Sequence, residues 1–206
     1  MKERPTRYPI PARRHRVEDV IRKSRFITTG APAPDADTAH AFIQGIREEF
    51  PDATHNCWAF VAGPPGNTAS IGMSDDGEPH GTAGRPMLNA LLHSGVGDIV
   101  AVCTRYFGGT KLGTGGLSRA YAGGVKHLLE ALPVKERVKR VTLLVTVDYA
   151  ALDPLQRFLE EAEGKVEAQE FGRDVELQVS VPRERRQELE AAVAELTRGI
   201  GTVERI

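Results

Sequence analysis

Little in this sequence could build a cross-linked, membrane-borne or zinc-dependent protein. Only two cysteines, Cys57 and Cys103, stand in 206 residues, and they form neither a CxxC pair nor a disulfide framework. Both sit in apolar surroundings, which reads as reduced, buried thiols of a cytoplasmic protein. No apolar run approaches the roughly 20 residues of a membrane helix, so no membrane partner is expected. Residues 1–16 lack the apolar core of a secretory signal. The six histidines are scattered without HxxxH or HExxH spacing, which argues against zinc.

What is present describes a folded globule. The chain is 40% hydrophobic and 27% charged, long enough for one large domain or two small ones. The net charge of −1 is uneven: residues 1–25 hold nine Lys or Arg against three acids, and residues 134–206 hold 12 basic and 15 acidic side chains. A basic front end could attract RNA; a solvated arm is the simpler reading.

The chain divides at residues 131–136, where Pro133 stops a helix. Two domains are expected, 1–134 and 135–206. In the second, residues 141–147 alternate as a strand and 151–163 carry a helical stripe of Leu152, Leu155, Phe158 and Leu159. Residues 165–171 and 175–181 form a hairpin, 182–198 a helix, and 202–206 a closing strand. That order is β-α-β-β-α-β, the ferredoxin-like pattern. In the first domain, residues 16–21 and 25–30 predict a hairpin, 31–34 a stiff connector, and 35–50 a helix capped by Asp35 or Asp37 with Ala39, Phe42, Ile43 and Ile46 inward. Strands are expected at 56–61, 69–73 and 98–107, and helices after Pro86 and over 115–132. Three or four strands with helices between them predict an α+β sandwich of one sheet layer and one helix layer.

Two strand-to-helix loops stand out. Residues 74–86 read SDDGEPHGTAGRP, and 105–121 read RYFGGTKLGTGGLSRAY. A dense glycine cluster marks backbone that turns sharply or approaches something closely. In the second loop Gly108, Gly109, Gly113, Gly115 and Gly116 precede a helix start, where free N–H groups suit an anion. Arg105, Lys111 and Arg119 add charge, with Arg85 from the first loop, and Tyr106, Phe107 and Tyr121 offer aromatic faces. Neither GxxxxGK[ST] nor a dinucleotide fingerprint is present, and no cofactor is expected. The glycines could also serve only to seat the helix on the sheet.

In the first loop Asp75, Asp76, Glu78 and His80 could ligate a hard cation, but the spacing matches no EF-hand and the segment is also a good turn; no metal is expected. Pairing of Asp75 or Asp76 with Arg85 or Arg105, tying the loops together, is the favoured reading. His55 and Cys57 share one strand face, a weak signal for a catalytic pair.

These loops resemble the hallmark segments SDDGEPxGTAGxP and RYFGGxxLGxGGLxRAY of the IMPACT/YigZ family. The segments Lys23-Ser-Arg-Phe26 and His55-Asn-Cys-Trp-Ala59 are similar to it too. The resemblance implies a first domain folded like the second domain of ribosomal protein S-five, as in domain IV of the translocating elongation factor. It implies a second domain like domain V of that factor. Eukaryotic relatives bind a partner of the starvation-sensing kinase, a circuit that does not carry over to the bacterial two-domain layout, and no established activity comes with the resemblance.

Three functions follow as expectations. The first is a non-enzymatic, translation-linked protein that binds RNA, the ribosome or a translation-associated protein through Arg85, Arg105, Tyr106, Gly108, Gly109, Lys111, Gly113, Gly115, Gly116, Arg119 and Tyr121. The second is an enzyme on a phosphate ester or nucleotide, using Asp75, Asp76, Glu78 and His55 as acid, base or ligand. The third is a protein–protein adaptor using the same loops. The oligomeric state is left open.

Overall fold

One antiparallel sheet, whose middle strands are buried along nearly their whole length, builds the first unit. A computed structural model describes residues 5–206. It divides into two compact units between Arg137 and Val138. In the first, β1 spans Arg7–Pro11, β2 His15–Ile21, β3 Ser24–Pro32, β4 His55–Val61, β5 Ile71–Ser74, β6 Ile99–Tyr106 and β7 Val134–Val138. The helices are α1 Ala36–Glu49, α2 Gly84–Leu92 and α3 Thr114–Ala131. The five-stranded sheet runs β2-β3-β6-β4-β5, with every neighbouring pair antiparallel.

The central strand β6 is buried on both faces, so its apolar run is continuous rather than alternating. Ala101 and Cys103 face α2 and α3 together with Phe26 and Cys57. Val100 and Val102 face α1 with Phe60. Helices therefore cover both faces, and the expected two layers are corrected to three. Asp35 caps α1, accepting from Thr38 N–H at 2.7 Å. Phe42 is only half-buried, with the Arg14 guanidinium 5.8 Å above its ring.

Two more expectations change. Residues 31 and 32 are not a connector: they extend β3, pairing with Val100 and Ile99, because a prolyl residue is tolerated at a strand end. Nor is the front end a free arm over residues 7–11. β1 pairs with β7 in a separate two-stranded ribbon, burying Tyr8 and Ile10. Arg7 pairs with Glu136, Arg14 and Arg16 with Glu49, and Arg25 with Glu18. Four cations of the basic segment are thus neutralised within the unit, while Lys2 and Arg4 lie outside the described residues.

The second unit contains β8 Arg140–Val147, α4 Tyr149–Glu161, β9 Lys165–Phe171, β10 Val175–Pro182, α5 Arg186–Leu196 and β11 Thr202–Arg205. Its sheet order is β11-β8-β10-β9, antiparallel throughout. Leu143, Val145, Leu177 and Val179 pack on Leu155, Leu159, Leu189 and Val193. The expected α+β class and β-α-β-β-α-β order both hold.

Asp98, just before β6, fastens the ribbon to the five-stranded sheet. Its Oδ1 accepts from Gly63 N–H at 2.8 Å, and its Oδ2 accepts from Tyr8 OH at 3.2 Å and from Arg137. Asp98→Ala leaves a buried hydroxyl, an N–H and a guanidinium without their acceptor, and is expected to cost about 3 kcal/mol in chemical denaturation. Asp98→Asn should cost less, since its backbone stands at φ 47°, which Asn tolerates well.

Candidate functional site

The segment 74–86 turns its three acids inward. Asp75 Oδ1 accepts from the N–H groups of Ala83 and Gly84, at 3.0 and 2.9 Å, and its Oδ2 accepts from Gly81 N–H at 2.8 Å. Helix α2 has no side-chain cap of its own, so Asp75 satisfies its opening N–H groups from across the loop. Gly84 is required there, because a Cβ would lie 2.9 Å from the Ser74 backbone. Burial pushes the Asp75 carboxyl up, but the three N–H donors outweigh it and hold the group below the usual carboxylate range.

Asp76 is spent in the same way. Its Oδ2 accepts from Asn56 N–H at 2.7 Å, and Oδ1 pairs with Arg47 at 2.6 Å. His55 Nδ1 donates to the Asp76 carbonyl at 2.8 Å. The third acid, Glu78, is 7% exposed, and its Oε1 takes Arg105 at 2.5 Å and Tyr121 OH at 2.7 Å. Arg105 NH2 adds Ser24 Oγ at 3.3 Å. Its guanidinium sits over the rings of Phe26, at 5.4 Å, and Phe107, at 5.5 Å.

The expected tie between the two loops therefore exists with a different acid. Glu78 makes it, while Arg85 stands exposed in the first turn of α2. Arg105 and Tyr121, expected at a binding surface, are inside: Arg105 is 5% exposed and Tyr121 0%. Charge on Arg105 demands a buried partner, and among the described residues Glu78 is the acid that reaches it. His55 Nε2 is 4.0 Å from Glu78 Oε1, so the residues of the enzyme alternative do converge, with both oxygens of Asp75 and Asp76 and Oε1 of Glu78 already accepting. Among the described residues no group of three or more His, Cys, Asp or Glu is placed to hold a metal ion. Cys57 and Cys103 oppose each other across β4 and β6, both fully buried. Burial pushes both thiols up, Cys103 to about 12, which leaves them protonated at neutral pH.

The exposed part of 105–121 is its glycine stretch. Gly109 and Gly113 take positive φ, at 84° and 74°. Gly108 packs on the β2–β3 turn so closely that a Cβ would come within 2.0 Å of the Lys23 carbonyl, while its N–H donates to Ser24 Oγ at 3.2 Å. That turn is Arg22-Lys23, both left-handed at φ 47° and 69°. An L-residue there costs about 1 kcal/mol, where Asn-Gly would be relaxed. Arg22, Lys23, Lys111 and Arg119 are all exposed, and none has an ion-pair partner among the described residues. Arg22 and Arg119 flank a hollow of about 200 Å³ floored by Ile21, Leu112, Gly116 and Ala120. Helix α3 opens beside it with Gly113 as its cap residue and no acid in its first turn. Tyr106 is half-buried, its hydroxyl donating to Asp52 at 2.9 Å. Sequence reasoning missed Arg22 and Lys23. The signal was the two-residue gap between alternating runs, which makes them the tip of a tight hairpin.

Fold and site together define a two-unit α+β protein with an acid-lined clasp inside and a basic glycine loop outside. The family model of the Impact N-terminal domain matches residues 22–129, and that of a domain of unknown function, DUF1949, matches 145–199. Over 190 residues the chain is 42% identical to the IMPACT family member YigZ of Escherichia coli (strain K12), covering 92% of this chain and 93% of that protein. It is 38% identical to the IMPACT family member YvyE of Bacillus subtilis (strain 168), covering 88% and 83%. A crystal structure of a hypothetical protein, 40% identical, superposes with a TM-score of 0.70 over 98% of each chain. The chain belongs to the IMPACT family.

Two outcomes test the clasp. Glu78→Ala and Arg105→Met should each cost about 3–5 kcal/mol, and the double variant clearly less than their sum; additive losses measured by denaturation would sink the pairing. Because the Asp75 carboxyl is held low in the folded state, its contribution is present above the unfolded value of about 4 and is lost as pH falls through the folded value. The stability gap between wild type and Asp75→Asn should be full at pH 7 and shrink below about pH 4.

Proposed function

We propose that the protein is a non-enzymatic, cytoplasmic RNA-binding protein that engages phosphates with the face formed by the Arg22-Lys23 turn, Lys111, Arg119 and the start of α3. One observation carries this: the three acids of the neighbouring loop are bonded inward, while these four cations stand exposed and have no ion-pair partner among the described residues. A cluster of like charges favours a polyanion. The hollow between Arg22 and Arg119, about 200 Å³, is roomy enough to admit a phosphate group and carries fork-shaped donors from two arginines. Backbone N–H groups at the α3 start add to it.

An enzyme reading that used Asp75, Asp76 or Oε1 of Glu78 would have to strip them of the donors that close the loop. The translation link rests on the elongation-factor-like folds that the family resemblance implies for the two units, an analogy at the level of fold. The adaptor reading uses the same face and differs only in what displaces the ligand.

Binding of a fluorescent RNA should weaken steeply with salt, and Lys111→Glu with Arg119→Glu should lower affinity at least tenfold and flatten the salt slope by about one per cation removed. Fluorescence polarisation at several salt concentrations reads both. Saturable binding that ignores salt or the substitutions contradicts this reading, and capture of a protein partner that nuclease does not release favours the adaptor.

A further inference from the structure

Phe107 is 46% exposed, immediately before the glycine loop, yet it is held rather than loose. Its N–H donates to Thr54 Oγ1 at 3.1 Å. One face of its ring rests on the Arg105 guanidinium at 5.5 Å, and that guanidinium is itself fixed by Glu78 and Phe26. Gly108, the next residue, packs against the Lys23 backbone, so the Phe107 backbone lies one residue from the Arg22-Lys23 turn. Along β6 the odd-numbered residues Ala101 and Cys103 face α2 and α3, and Arg105 bonds Tyr121 of α3 through Glu78. Phe107 stays on that side by its contact with Arg105, and so lies on the side of the sheet from which α3 and Arg119 rise. A rigid aromatic platform beside unpaired cations is how proteins hold unpaired bases: the ring stacks on a base and the cations track the backbone. A duplex hides its base faces and offers such a ring nothing. A cation beneath the ring draws π density away from the outer face, which disfavours a second cation there and favours an electron-rich heterocycle.

We infer that the RNA taken by this face is single-stranded, with a base stacked on the outer face of Phe107 while Arg22, Lys23, Lys111 and Arg119 hold its phosphates; the inference rests on the RNA-binding reading above. The test uses the full chain and three probes: an oligoadenylate RNA of about ten nucleotides, an RNA duplex of the same length, and inorganic polyphosphate. The single strand should bind at least tenfold tighter than the duplex at equal salt. Phe107→Ala should lower single-strand affinity about tenfold and leave duplex and polyphosphate affinities within about twofold. Phe107→Leu, which keeps an apolar side chain without the ring, should behave like the Ala variant. Phe107→Trp should bind like wild type, with its added indole fluorescence quenched. Equal affinity for strand and duplex, or wild-type single-strand binding by the Leu variant, overturns the stacking inference while salt-sensitive binding leaves the phosphate reading standing. Absence of salt-sensitive binding by all three probes overturns both.

Discussion

The buried pair between Glu78 and Arg105 is the constraint on which the rest of the site depends. The two residues lie 27 positions apart, Glu78 in the acidic loop and Arg105 near the end of β6, and meet at 2.5 Å with Tyr121 of α3 on the same carboxylate oxygen. A guanidinium withdrawn from water needs a partner of opposite charge and good geometry. The acid-bearing segment must therefore fold back onto the end of β6, and α3 must start where its tyrosine reaches the same acid. Asp75 and Asp76 repeat the device with weaker partners, closing the loop onto α2 and onto β4. The outcome is a segregation of charge, with acids facing in and unpaired bases facing out.

That segregation explains why so many glycines are needed nearby. Gly108 and Gly84 stand where a Cβ would strike backbone, and Gly109 and Gly113 stand at positive φ. Gly115, in contrast, meets only the tip of Arg119 and has ordinary backbone angles, so folding does not call for it. An open helix start clear of side chains is what remains, and it is the part of the loop free to approach a ligand closely. The Arg22-Lys23 turn is the converse case. Two long basic side chains occupy positions where relaxed turns use Asn-Gly, so stability is given up to place charge at the tip.

Much of this was legible in the residues. Periodicity located every helix, and the second unit's element order could be read outright because its strands alternate cleanly and its turns carry glycine. The ribbon of β1 and β7 was not legible: Arg7–Pro11 contains two prolines, and Val134–Val138 is largely exposed and charged, so neither shows a strand's pattern until the two are paired. The third layer was missed because β6 is apolar on both faces, which periodicity alone cannot assign. At the site, the glycines and the acid–base tie between loops could be anticipated from composition. Which acid makes that tie could not, since Asp75, Asp76 and Glu78 differ only in which donors the folded chain brings to them. Arg105 looked like a surface group for the same reason: a charged residue at a strand end reads as exposed unless its buried partner is known.

The central claim is that the two adjoining loops divide the work, one as an internal clasp and the other as the exposed ligand face. Backbone amide chemical shifts of the isotope-labelled protein, followed by NMR during titration with a single-stranded RNA, test this directly. The account predicts saturable changes at Arg22, Lys23, Phe107, Gly109, Lys111, Gly115 and Arg119, with Asp75, Asp76 and Gly81 unmoved. Changes centred on the acidic loop, or none at the glycine loop at saturating RNA, would contradict it.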